Sequence, residues 1–404
     1  MQHRISPPPS QAAQYRALAL LGLLTLSRTA VAFQFQSVTS LIDMLRGTLS
    51  FSATGFGILL GIYMAPGAVM AIASPALVGK FGARPTMIGA LLLMAAGQAG
   101  LMLAGSQEAA YLSRLVAGAG GCIVYIVTID LAARYCAAGS MPGRMGTIAA
   151  SWPLGNAVSL VILGGLISAS HAGAAAYLPA AFAIAAACFI ARALRPQRLA
   201  DHLAGRGADH EDAHPRRSRG ISLTEWSRAF RVALIPGLSF ALYNVSFILF
   251  TSFTPELLQS QGYTLLAASN IASLPMWLFV VSVPLGGWLA GRSVAKDRWL
   301  AGIGCVGGAA CIIFSHMFQD KTAWYVLAGI LGGLPTGAML ASGGRARHAL
   351  FYPTLFFIFF ILLLAFPPLV GAAIEATGNM QSALAFCVAL LVAAFLFFIK
   401  DTSK

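Results

Sequence analysis

Residues 195–228 read RPQRLADHLAGRGADHEDAHPRRSRGISLTEWSR, the only long hydrophilic segment in a chain of 404 residues. Everything around it is apolar. A bilayer core takes ~20 mostly apolar helical residues per crossing. Six stretches before the segment reach that length, at 17–41, 51–74, 86–105, 112–133, 145–169 and 173–194. Six more follow it, at 229–253, 266–290, 299–318, 322–341, 349–374 and 380–399. Hydrophobic residues make up 58% against 10% charged, with mean hydropathy +0.78, whereas soluble domains carry about 25% charge. A surface that poor in charge cannot solvate a globule of this size. A disordered chain and a disulfide-stapled secreted domain are excluded with it. The expected fold is an all-α integral membrane protein, with twelve transmembrane helices in two pseudo-symmetric six-helix bundles. Its parts are 1–194, a cytoplasmic linker at 195–228, and 229–404.

The net charge of +13 raises nucleic acid as a partner, but the positions of the charges decide against it. With the N-terminus inside, 22 of the 26 basic residues fall on the cytoplasmic side, nine of them between 192 and 231. Only Arg46 and Lys321 stay outside, while Arg28 and Arg114 fall within spans. The expected setting is a bacterial inner membrane with both termini cytoplasmic, and the basic linker lies beside anionic lipid headgroups. Residues 17–32 also resemble a cleavable leader. Against cleavage stand the long segment ahead of the apolar stretch, with Pro7-Pro8-Pro9, and the six-plus-six symmetry that removal would break.

Weak internal similarity links the halves. Pro75-Ala-Leu-Val-Gly79-Lys80-Phe81-Gly82-Ala83-Arg84 follows the second span, and Gly287-Trp-Leu-Ala-Gly291-Arg292-Ser293 follows the eighth. Ala117-Gly118-Ala119-Gly120-Gly121 returns loosely as Ala328-Gly329-Ile330-Leu331-Gly332-Gly333. Repeated helical halves place a solute site near the midplane, between the repeats.

The layout, basic central loop and repeated basic turns resemble the major facilitator superfamily over nearly the whole chain. That family's loop between spans two and three runs Gly-x-x-x-Asp-Arg-x-Gly-Arg-Arg/Lys. Lys80, Gly82 and Arg84 match it, while Pro75, Gly79 and Ala83 depart from it, and Gly291 stands at the aspartate's place in the second copy. The resemblance assigns Lys80, Gly82, Arg84 and Arg292 to conformational switching, with the family's aspartate latch missing. Arg114-Leu-Val-Ala-Gly118 is similar to the family's Arg-x-x-x-Gly motif, which implies a coupling role for Arg114 and a link to a proton gradient. Ser151-Trp152-Pro153-Leu154-Gly155-Asn156 lacks the Gly-Pro pattern of drug/proton antiporters. With Gly61-Ile-Tyr63-Met-Ala-Pro66-Gly67, it most resembles the cyanate/nitroimidazole-type branch.

Arg28 lies near the centre of the first span. An arginine there costs at least ~2.5–3.5 kcal/mol, so it faces the bundle or a wet cavity. Thr25, Arg28, Gln36 and Thr39 share one broad helical face, a polar stripe fit to line a pathway. Tyr243 and Asn244 occupy the matching place in span seven. The expected substrate contacts are therefore Arg28, Gln36, Tyr243 and Asn244; the bland alternative for each is a bond between helices. For Arg114 the alternative is snorkelling to the outer interface.

No carboxylate lies at the centre of any span. A cation carrier needs such an acid, whereas two intramembrane arginines favour an anion. Glu375 and Asp43 stay open as proton carriers, with an ordinary interfacial carboxylate the blander reading. His210-Glu211-Asp212-Ala213-His214 matches H-E-x-x-H, but Pro215 and the polar, glycine-flanked context make it a chance match. Six scattered cysteines read as small buried side chains. No metal and no cofactor are expected.

The reading that follows is a monomeric secondary transporter that moves a small solute, an organic or inorganic anion, by alternating access. Its alternatives are a carrier or exporter of a neutral or hydrophobic compound, and a non-transporting membrane sensor. An enzyme would need convergent catalytic groups within the spans, and none is found.

Overall fold

The computed structural model describes residues 11–135, 141–193, 223–290, 293–339 and 350–402. The first half comprises α1 (Gln11–Leu49), α2 (Ala53–Ile62), α3 (Gly67–Phe81), α4 (Ala83–Met102), α5 (Gln107–Tyr135), α6 (Met141–Ser168) and α7 (Ala172–Ala193). The second comprises α8 (Leu223–Ser260), α9 (Leu265–Leu289), α10 (Val294–Met317), α11 (Lys321–Gly332), α12 (Phe351–Thr377) and α13 (Gln381–Thr402). Among the described residues, ten helical stretches are long and apolar enough to cross a membrane. The other two apolar runs of the sequence fall on α1 and α11. α1 runs 39 residues, but its buried length carries Ser27, Arg28, Gln34, Gln36, Ser37 and Ser40. α11 is only 12 residues and ends at Gly332, beside Gly333.

The apolar run 51–74 is not one straight helix. It breaks into α2 and α3 at Tyr63–Pro66, because proline supplies no N–H and crowds the preceding turn. Gly82, at φ +85°, ends α3 and opens α4, a conformation glycine adopts without penalty. At the other boundary, α8 begins at Leu223, so residues 223–228 of the expected linker are helical ahead of the apolar run. The rest of that linker, including the H-E-x-x-H match, lies outside the described residues, as does Arg292. The described cysteines Cys122, Cys188, Cys305, Cys311 and Cys387 are free thiols.

Within the first half α1 packs against α5, α6 and α7, and α4 against α5 and α7. Within the second, α8 packs on α12 and α13, and α11 on α9 and α10. The halves meet where α6 lies along α9, α2 and α3 along α12, and α1 along α8. The α2–α12 seam brings main chain against main chain. A Cβ at Gly57 or Gly61 would collide with the carbonyls of Pro367 or Leu364, and one at Gly371 with that of Ala53.

Two sides of the bundle are told apart by their turns. One carries the chain ends and the turn at Gly82. The other carries the turns at 50–52, 103–106, 169–171, 261–264 and 378–380. On this second, distal side the halves are pinned together. Arg46 at the end of α1 pairs with Glu256 of α8 at 2.7 Å, and Phe56 meets Phe253 edge to face at 5.1 Å. Glu375 of α12 accepts a hydrogen bond from the Thr54 main-chain N–H at 2.7 Å. It thereby serves one of the unpaired donors at the start of α2, while Ser52 caps another through Gly55.

Candidate functional site

Arg28 lies near the midpoint of α1 and is 6% exposed. Its guanidinium carbon stands 4.0 Å from the centroid of the Tyr125 ring on α5, and its Nε has no hydrogen-bond partner. Tyr125 in turn contacts Trp152 of α6 edge to face at 6.0 Å, and Phe356 and Phe360 of α12 at 5.9 and 6.3 Å. Phe356 leads on to Phe240 of α8 at 6.0 Å. Arg28 therefore caps a set of rings drawn from both halves.

The rings are held from behind. Trp152 leans on Phe35 at 5.4 Å, and with the Asn156 amide turned to suit its neighbours, the indole N–H donates to Asn156, which donates to the Ala32 carbonyl. Tyr125, Trp152 and Phe356 each remain only partly buried although they touch one another across the seam. From Ser239 to Pro255 on α8, Asn244 alone is not fully buried, and its amide donates to the Phe240 carbonyl at 2.7 Å. Arg28 and the partly buried rings of Tyr125, Trp152 and Phe356 thus lie together where the halves meet, and Asn244 is a separate partly buried polar group on α8.

Tyr243 turns away from Asn244. One residue along a helix is a turn of 100°, and its hydroxyl donates to the Gly332 carbonyl at the end of α11 and contacts Thr336 at 3.2 Å. Gln36 lies about 12 Å from Arg28 along α1. It is fully buried, bonded to Thr39 at 3.0 Å, and reached across the halves by Ser252 at 3.5 Å. Thr25 spends its hydroxyl on the Leu21 carbonyl. Of the expected contacts, Arg28 lies against the rings at the meeting of the halves, Asn244 is partly buried on α8, and Gln36 and Tyr243 are set into packing interfaces.

Arg114 is fully buried and points inward rather than to the membrane interface. It donates to the carbonyls of Leu59, Gln34 and Phe35 at 3.2, 3.2 and 3.1 Å, with its planar group 4.5 Å above the Tyr63 ring. The α2 break explains the first of these: the Tyr63 N–H turns to Gly61, so the Leu59 carbonyl is left for a side-chain donor. Tyr63 closes the network by donating to Gln34 at 3.1 Å, and Gln34 to the Met94 carbonyl at 2.8 Å. Gly118 and Gly121 let Tyr63 approach; a Cβ at either would overlap it. At the turn after α3, Lys80 is exposed beside Phe81, while Arg84 donates to the Ala191 carbonyl of α7 at 2.7 Å.

Sequence reasoning missed the ring cluster and both distal pins. Trp152 was visible within its Ser-Trp-Pro run, but nothing in the sequence joined it to Tyr125 or Phe356.

A multi-pass helical membrane protein whose two sets of helices enclose a buried cation has the architecture of a solute carrier. The family model of the Major Facilitator Superfamily matches residues 24–353. The chain belongs to that superfamily, a family of secondary transporters of small solutes. No curated protein matches the chain.

Proposed function

We propose that this protein carries a small anion by alternating access, with Arg28 as the group that pairs with the substrate's negative charge. The observation that carries this reading is the Arg28 Nε, buried without a partner in the middle of α1. A guanidinium held over a ring face keeps its charge but leaves the Nε–H unused, and an arriving oxyanion would take it. Asn244, partly buried on α8, would offer the same substrate a neutral polar contact. The distal pins, Arg46 with Glu256 and Glu375 with Thr54, support a state closed on the distal side. The distribution of basic residues supports placing that side outside a bacterial inner membrane. Arg114 acts on coupling through the α2–α3 break it stabilises.

Arg28→Gln tests the reading. The variant inserts and folds but no longer binds or transports the anion, since losing such a contact costs about 2–5 kcal/mol when the partner charge is buried. The alternative, a carrier of neutral compounds in which Arg28 only braces Tyr125, requires that Arg28→Gln transport normally.

A further inference from the structure

We infer that the substrate is an aromatic carboxylate, or a planar organic monoanion of that kind, rather than a small inorganic or aliphatic anion. This rests on the anion reading above and extends it from the charge to the body of the substrate.

Around Tyr125, the ring under Arg28, stand Trp152 from the first half and Phe356 and Phe360 from the second, the last two 6.4 Å apart. They stand at 75–84° to Tyr125, with centroids 5.9–6.3 Å away, toward the loose end of the edge-to-face range. The three rings around Tyr125 therefore do not cover its face; the Arg28 guanidinium does, at 4.0 Å. A box of aromatic faces ordinarily selects a cation. Here the box already contains its cation, on the chain itself, so a second positive charge is repelled and the selection changes sign.

A small oxyanion would satisfy Arg28 and leave the rings untouched. A neutral arene would engage the rings and leave the Nε orphaned. A flat ring bearing a carboxylate meets both demands, with the oxyanion on the guanidinium edge and the ring among Tyr125, Trp152, Phe356 and Phe360. Because these rings come equally from the two halves, the guest's ring would be gripped from both, and its release requires the seam at Tyr125 and Phe356 to part.

The test is equilibrium binding to the purified full-length protein in lipid nanodiscs, with benzoate, cyclohexanecarboxylate, acetate and benzamide as probes. Benzoate is expected to bind at least about tenfold more tightly than acetate and cyclohexanecarboxylate, and benzamide not at all. Trp152→Leu and Phe356→Leu, checked for a monodisperse elution profile, are expected to bring the benzoate-to-acetate ratio toward one while acetate binding persists. If acetate or cyclohexanecarboxylate binds as well as benzoate, or if both ring variants keep the ratio, the aromatic inference is overturned and the anion reading stands. If benzamide binds and no carboxylate does, both fall.

Discussion

Arg114→Lys keeps the positive charge and removes the fork, and the structure gives the size of the damage. Arginine reaches three carbonyls on two helices at once, at 3.1–3.2 Å. A lysine ammonium, compact and on a single stem, reaches one of them. The Gln34 and Phe35 carbonyls belong to the continuous helix α1, so each lost bond there is worth about 1 kcal/mol, at the low end for a charged donor. Loss of the flat contact over Tyr63 adds about 1 kcal/mol. The sum is ~3 kcal/mol, and at about 1 °C per kcal/mol for a chain of 404 residues, Tm should fall by about 3–4 °C. Thermal unfolding followed with a thiol-reactive dye, using the buried cysteines as reporters, measures it. Arg114→Met should be milder than Arg114→Lys, because it leaves no buried charge looking for partners. A lysine variant that melts within about 1 °C of the parent protein (the shift of a single kcal/mol) would refute the anchoring role of the three carbonyl bonds.

The remaining expectations concern movement and placement. Glu256→Gln removes a pair whose side chains are 26% and 23% exposed, worth about 0.5–1 kcal/mol, so the distal-open population should rise about two- to fivefold. Distances between spin labels at Ser106 and Gln261 report it, and an unchanged distribution would remove the pair from the gate. Alanine at Lys80 or Arg84 is expected to slow transport while leaving substrate affinity within about twofold; a tenfold loss of affinity at unchanged turnover would contradict the switching role. In intact cells an impermeant thiol reagent should reach a cysteine placed at Gly173 and miss one at Ser218, and labelling of Ser218 would invert the orientation.

The membrane fold was legible because its signal is additive: some twenty apolar residues in a row need no partner to be recognised. The site was legible only in part. Arg28 announced itself as a charge in an apolar run, and in the structure it is buried against Tyr125 with its Nε unbonded. Tyr243 and Asn244 were read together because both fall at the place matching Arg28 in the other half, yet neighbours on a helix point 100° apart, and Tyr243 is buried against α11 while Asn244 is only partly buried. The carbonyls that hold Arg114 are invisible to any reading of side chains, since every residue has one. The break at Tyr63–Pro66, which frees one of them, lay inside what looked like an uninterrupted span. The ring cluster draws on a chain with 25 Phe, 10 Tyr and 6 Trp, and composition does not say which of them converge.

The α2–α12 seam has a kinetic consequence. Where Gly57, Gly61 and Gly371 bring main chain to main chain, there are few side chains to disengage and few rotamers to re-sort when the surfaces part. Interlocked side chains act as teeth, and a joint built from them must jump between discrete registers. A toothless joint glides. On the proposed alternating-access reading, motion along this seam is set by the few specific bonds at its distal end more than by friction in the seam itself.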